Sequence, residues 1–522
     1  MNKKGFTLIE IIAIIILLSV IALITYPVIN NLIINSKEEL YEKQISELVR
    51  LSNTWATKNI KKLKMTDGYV YNLSFEELYE QGFVSDKQVK NPKTGQNLPG
   101  CMKVTFNSTN NGYDISYDEG CTSSGEVALY EDNSGANKPK LFNNMIAIKY
   151  ENNKWIVADL YSKWYDYDAK EWANAVVLNS GVTKNVGDEV TEEDVALWYV
   201  WIPRYKYTIF NGNNESAAAQ LINVTFESGT NRTGTVTCSD NADGSETCST
   251  ITNGTSTYTH PAFKFGNTEL TGFWVGKFEI STTDSTCNSS ASSANCNKVL
   301  TMTIKPNVSS WRYATISNHF TSIQNAKTTY GINNADSHMM KNMEWGAVAY
   351  LKQSKYGLGT TDIAVNTNSN FYTGGGTSDA YKTNVAQSTT GNIYGVYDMS
   401  GGAWERVMGN MKNSSNAFYS SNAGFTTAPD AKYYDSYKYD SSSNTTHARG
   451  KLGDATKETL ATFGNTSGGW YSDYAYFPGS SGPWFHRGGY YGSGLSAGVF
   501  YFNNSAGGDI NANSARAVVS AP

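Results

Sequence analysis

Three groups of residues in this 522-residue chain have types and spacings that could do chemistry. The first is N-terminal, where Lys3, Lys4 and Gly5 precede an apolar run that opens at Phe6 and reaches about Tyr26. A secretory signal has a shorter apolar core with a small-residue cleavage site at its far end. Here a cut after Gly5 leaves the apolar segment on the mature protein. Glu10 is the run's only charge, and a carboxylate in such surroundings needs a partner. The second group is six cysteines in three close pairs, Cys101 with Cys121, Cys238 with Cys248, and Cys287 with Cys296. Cys-x-x-Cys spacing is absent and no histidine lies beside them, which argues against zinc. In an oxidising compartment three sequential disulfides are the simplest pairing, each contributing about 3 kcal/mol in the chain-entropy model. The third group is the Tyr-, Ser-, Asn- and Gly-rich segment 484–519, whose side chains suit recognition: Tyr offers contact area with few rotors, and Ser and Asn adapt their hydrogen bonds.

The elements that position these groups follow from periodicity. About 20 helical residues span a hydrocarbon layer of about 30 Å, so the apolar run predicts a membrane-crossing helix. Tyr41, Ile45, Leu48 and Trp55 then recur at three- and four-residue steps among acidic residues, continuing the helix to about Leu63. Lys58, Lys61, Lys62 and Lys64 crowd its end, where cations are favourable without any DNA contact. A short helix at Phe75–Glu80 and two alternating strands, 102–106 and 113–117 joined by Asn110-Asn-Gly, predict a small head closed by Cys101–Cys121. Residues 122–189 read as a linker and a connecting β module. Their aromatic stretch, Trp164 to Trp172, could stack sugar, but fits core or a domain junction better. Residues 208–262 and 281–300 read as stapled surface loops.

At 522 residues the chain needs two to four domains. A net charge of −5 argues against a nucleic-acid binder. The 35 Tyr, 12 Trp and 46 Gly, with only 17% charged residues, point to an extracellular protein rich in strands and loops.

The block Gly5-Phe-Thr-Leu-Ile-Glu10 resembles the leader of type IV pilins and pseudopilins. The resemblance implies cleavage between Gly5 and Phe6 by a prepilin peptidase and methylation of the new Phe6 amine. It further implies an assembly role for Glu10 opposite the Phe6 amine of a neighbouring subunit, and a helix kink at Pro27. Localisation follows as the cytoplasmic membrane before assembly and a pilus or cell surface afterwards.

From residue 190 a second resemblance runs through Tyr199-Val-Trp-Ile-Pro-Arg-Tyr-Lys-Tyr207, Gly272-Phe-Trp-Val-Gly-Lys-Phe-Glu279, Met343-Glu-Trp345, Gly395-Val-Tyr-Asp-Met-Ser-Gly-Gly-Ala-Trp-Glu405 and His486-Arg-Gly-Gly489. This succession is similar to the formylglycine-generating-enzyme family, whose fold is a variant of the C-type lectin fold. The resemblance implies structural roles for Gly401 and Gly402 (a tight turn), Trp404 (core), Glu344 and Trp345 (a helix end), and Arg487 (a buried ion pair). Ala517 stands where the family keeps its metal-binding thiol, and no cysteine follows Cys296, so no catalysis and no cofactor is expected. Structural calcium fits related modules, with no ligands marked here. The segment from Trp484 onward also resembles the variable region of diversity-generating retroelement proteins. Residues 490–515 contain no Lys, Glu, Gln, Met or Trp, the five that a codon ending in a pyrimidine cannot encode.

These readings predict an α+β protein: leader 1–5, assembly helix 6–63, small pilin head 64–121, linker and β module 122–189, and a C-type-lectin-like module 190–522. The expected function is a minor or tip pilin-like adhesin that binds a protein or glycan on a cell or phage surface. The alternative is a pseudopilin of a type II secretion or DNA-uptake machine with a purely structural module. Gly488, Gly489 and Arg516 are expected to hold the scaffold. Tyr490, Tyr491, Ser493, Leu495, Ser496, Tyr501, Asn503, Asn504, Asp509, Asn511 and Asn513 are expected to face the ligand, and Val499-Phe-Tyr-Phe502 to alternate between core and solvent.

Overall fold

The computed structural model describes residues 7–66, 68–122, 124–127, 129–210, 217–289, 292–442 and 449–522, without the side chains of Ile24, Pro27 and Val28. Gly5, Phe6 and the side chain of Pro27 therefore lie outside the described residues. The chain divides into two compact units, Met1–Ala128 and Leu129–Pro522, and is α+β.

The first unit is led by one long helix, α1 (Leu8–Lys58). A reciprocal capping box starts it: the Thr7 hydroxyl accepts from the Glu10 amide, and a Glu10 carboxylate oxygen accepts from the Thr7 amide at 2.8 Å. It stops at Lys58 rather than about Leu63, because Asn59 leaves helical geometry and turns its side-chain amide back onto the Trp55 carbonyl at 2.9 Å. Leu48 and Trp55 are buried with Tyr41 and Ile45 beside them. They pack on a four-stranded sheet in the order β3 (Gly112–Asp118), β2 (Cys101–Asn107), β1 (Val70–Leu73), β4 (Gly125–Glu126). Leu73, Leu78, Met102 and Val104 fill the core. The Cys101–Cys121 disulfide sits at the open end of the β2–β3 hairpin, where Cys101 pairs with Asp118.

The second unit has two main sheets. The larger runs Asp336–Met339, Ala517–Ser520, Gly272–Gly276, β8 (Val195–Pro203), β7 (Asn174–Leu178), β5 (Met145–Glu151), β6 (Lys154–Val157). Every residue of β8 is buried, so its unbroken apolar run reflects cover on both faces. The expectation of a separate module at 122–189 needs correction. β5, β6 and β7 extend the same sheet as the C-terminal strands, so the unit begins near residue 129. The aromatic stretch within it is core. Trp164, Tyr165, Tyr167 and Trp172 are buried, with the Tyr167 hydroxyl on the Trp201 carbonyl and the Trp172 indole N–H on the Tyr356 carbonyl, each at 2.8 Å. The smaller sheet, Asp435–Tyr437, Trp404–Met411, Trp484–Gly488 and Gly498–Ser505, with Asn513–Ala515 paired to Trp404–Arg406, carries the candidate site. The Cys238–Cys248 and Cys287–Cys296 disulfides both close as expected. The second is buried rather than on a surface loop.

Candidate functional site

The site is organised by a turn and an ion pair beneath it. Gly401 and Gly402 both take positive φ and lead into Trp404–Met411. A Cβ on Gly402 would lie 2.6 Å from a Glu279 carboxylate oxygen, the same oxygen that accepts from the Ala403 amide at 2.8 Å. Below, the fully buried Arg516 guanidinium pairs with Glu405 through Nε to Oε2 at 2.8 Å and through Nη2 to Oε1. It also donates to the carbonyls of Gly276 and Tyr397. Burial pushes the Glu405 carboxyl up to about 7, opposed by the Arg516 charge. Arg487 does not carry the buried ion pair expected of it. It donates to the Asn342 side chain and to the carbonyls of Asp454 and Ala455, because those loop carbonyls need donors where no helix or strand supplies them.

On this base sits an aromatic surface. Trp404 is half-buried rather than core. Its ring is nearly parallel to His486, with centroids 5.3 Å apart, Tyr490 lies 4.3 Å away, and its indole N–H donates to the Tyr501 hydroxyl at 3.1 Å. Tyr491 packs edge-on against Tyr490 and Phe371. Phe371 holds a left-handed backbone conformation, φ 57°, and carries the Arg312 guanidinium 4.0 Å from its ring centre. Such a conformation is rare for a bulky residue and costs about 1–3 kcal/mol. Phe371 and Tyr474, which stacks on Tyr501, were not singled out by sequence. The available signal was, for Phe371, an aromatic set among small polar loop residues, and, for Tyr474, its place in the aromatic run Trp470–Phe477.

The expected binding residues divide into three sets. Leu495 is 89% exposed, and Asp509 and Asn511 are exposed. Tyr490, Tyr491, Ser493, Ser496, Asn503 and Asn504 are half-buried at the surface. Tyr501 and Asn513 do not face outward, being only 4% and 1% exposed. The alternation expected of Val499–Phe502 is also absent, for all four are buried. The cause is the segment 474–476, which pairs with the outer edge of Gly498–Ser505 through the Phe502 backbone at 2.9 and 3.0 Å and brings Tyr474 over Tyr501. Asn513 is drawn inward by Arg406. With its amide turned to satisfy both groups, its oxygen accepts from Nη2 at 2.6 Å and Nε at 3.0 Å.

Two groups beneath the rings, His486 and Tyr501, are uncharged near neutral pH. Burial, reinforced by the Arg406 charge, depresses His486 to about 3, so its imidazole is uncharged. Burial raises the Tyr501 phenol to about 12. Gly488 and Gly489 turn with positive φ between the strand and this loop. Among the described residues one group of side chains converges as metal ligands would, Cys238, Glu246 and Cys248. Both sulfurs are committed to a disulfide, which removes them as thiolate ligands.

The other candidate site is the start of α1. The Glu10 carboxylate is held by its own chain, accepting from the Thr7 amide at 2.8 Å and the Thr7 hydroxyl at 2.9 Å. Apolar side chains from Leu8 to Ile34 stand exposed around the helix.

Residues 1–26 match the prokaryotic N-terminal methylation motif. The motif supports a type IV pilin-like N-terminus and a type IV pilin-like or pseudopilin role, and it implies pilin subunits and a prepilin peptidase as partners in general. No curated protein matches the chain. Among the described residues no helix is long and apolar enough to cross a membrane.

Proposed function

We propose that this protein is a pilus-associated adhesin, a pilin-like helix and small head carrying a large non-catalytic binding module. The module is of the formylglycine-generating-enzyme and C-type-lectin type, with a C-terminal segment of the kind that retroelements diversify. The supporting observation is the half-exposed aromatic set of Trp404, Tyr490 and Tyr491, displayed over a buried Arg516–Glu405 base. A rigid floor under adaptable Tyr, Ser and Asn side chains is the build of a recognition surface. The absence of catalysis rests on Ala517 in the thiol position. The bulk of the module favours a minor or tip subunit over a densely packed major one. In this reading the helix from Phe6 anchors the chain in the cytoplasmic membrane before assembly.

Adhesion of cells or purified pili carrying Tyr490→Ala and Tyr491→Ala tests the binding face. Loss of adhesion with unchanged piliation is expected, and unchanged adhesion overturns the adhesin reading in favour of a pseudopilin with a structural module. Mass spectrometry of the mature N-terminus tests processing. The expected peptide begins at a methylated Phe6, and one beginning at Met1 overturns it. Glu10→Ala is expected to leave that cleavage intact while impairing assembly.

A further inference from the structure

A cleft in the Leu129–Pro522 unit plays no part in the reading above. It has a volume of about 800 Å³ and lies beside the Cys238–Cys248 hairpin, flanked by residues 261–267, the N-terminus of the helix Asn342–Lys352 and residues 430–435. Five cationic side chains line it, Arg232, Lys264, Lys341, Lys432 and Lys451, together with the acids Asp240, Glu246, Asp430 and Asp435.

Most of these charges are already matched. Arg232 pairs with Glu269 at 2.8 Å, Lys432 with Asp336 at 3.3 Å, and Lys451 with Asp240 at 2.6 Å. Glu246 receives Lys457 at 3.0 Å and the Leu452 amide at 2.7 Å, and Asp430 receives the Lys432 amide at 3.1 Å. Lys341 is different. Its side chain is only 8% exposed, yet its Nζ makes no hydrogen bond among the described residues. The nearest carboxylate oxygen, Asp435 Oδ1, is 3.8 Å away. That carboxyl already accepts the Met343 amide at 2.7 Å on Oδ2, and the Phe265 ring lies 5.9 Å from Nζ. Lys264 is exposed at the cleft and has no ion-pair partner among the described residues.

Held only by this long ion pair and by the Phe265 ring, Lys341 Nζ has room for a closer acceptor, and an oxyanion in the cleft would supply one. We infer that this cleft is a binding site for a ligand carrying one oxyanion, a carboxylate, phosphate or sulfate. The oxyanion sits on Lys341 Nζ, with Lys264 as the second cation and Ser239, Asn267 and Tyr434 available to neighbouring hydroxyls. The oxyanion has two sources, an acidic sugar of a surface glycan or a free inorganic anion.

Isothermal titration of the full chain in detergent reads this directly, with sodium glucuronate and sodium phosphate as probes and glucose as the neutral control. At least one anion is expected to bind, more weakly as salt is raised. Lys341→Met, which keeps the packed stem, is expected to weaken binding about tenfold or more at an unchanged melting temperature, as loss of a charge-assisted hydrogen bond does. Lys341→Arg is expected to keep measurable binding. The exposed Lys264→Gln is expected to cost about threefold. Binding of glucuronate but not phosphate assigns the acidic sugar, phosphate alone assigns the free anion, and both assign a seat for either. The inference is overturned if neither anion binds, if glucose binds as well as glucuronate, or if Lys341→Met binds like the wild type. It stands or falls independently of the adhesin reading.

Discussion

Trp164, Tyr165, Tyr167 and Trp172 lie wholly in the core of the larger unit, whereas Tyr490 and Tyr491, from a stretch just as aromatic, keep part of their rings in solvent. The rings are not what differs. The first stretch precedes β7 and is covered by the Trp201, Phe226 and Tyr356 region, with the Tyr167 hydroxyl and the Trp172 indole N–H taken by backbone carbonyls. The second follows a glycine pair that lifts the chain off its sheet, so its hydroxyls keep access to water. Aromatic content alone therefore does not mark a binding surface. What marks it is an aromatic residue where sheet pairing has just ended.

Breaking the buried side of this contrast should have the largest effect. Trp172→Ala leaves a large cavity and strands the Tyr356 carbonyl, so urea unfolding is expected to report a loss of about 3–5 kcal/mol. The exposed side should behave oppositely. Tyr490→Ala and Tyr491→Ala are each expected to weaken ligand binding by about 1–3 kcal/mol, with stability changed far less. Equal losses of stability in both stretches would erase the distinction.

His486 lies on the boundary between the two behaviours. Its folded pKa, about 3, lies below the unfolded value of about 6.5, so the unfolded chain takes up the proton first as pH falls. Its contribution to stability is fully present above pH 6.5 and is lost progressively toward pH 3. Between pH 7 and 5 the loss attributable to this residue is about 2 kcal/mol. Comparing the wild type with His486→Phe by denaturant titration at the two pH values should show the variant losing correspondingly less. The smallest effect is expected at the loop tip, where Leu495→Ala should alter stability by no more than about 0.5 kcal/mol.

Much of this architecture was legible in the residues, and the failures have physical causes. Local signals carried far. The period of Tyr41, Ile45, Leu48 and Trp55 marked the packing face of α1, the Asn110-Asn-Gly turn marked the hairpin, and close spacing marked the three disulfides. What could not be read was who lies on top of whom. Tyr501 satisfies the alternation rule for an outward residue, and only the distant segment 474–476, paired to Phe502, turns it inward. Asn513 looks like an exposed amide until Arg406, more than a hundred positions earlier, claims its oxygen. The resemblance implies a core position for Trp404. Its ring instead stays half-buried against His486 and Tyr490, with the indole N–H on the Tyr501 hydroxyl. The boundary near residue 129 was missed because β5–β7 are joined to their sheet by pairing that leaves no compositional trace.

The placement of Ala517–Ser520 between Gly272–Gly276 and Asp336–Met339 has a consequence for biogenesis. Neither neighbour can find its native edge until that strand has been synthesised, so the larger sheet cannot zip up progressively as the chain is made. Until then Gly272–Gly276 offers an open, apolar edge that invites mispairing. The wait is long because the closing contacts join residues so far apart in sequence. A stop codon at Ala517 would keep that edge open permanently, and quality-control proteases would be the first to detect it.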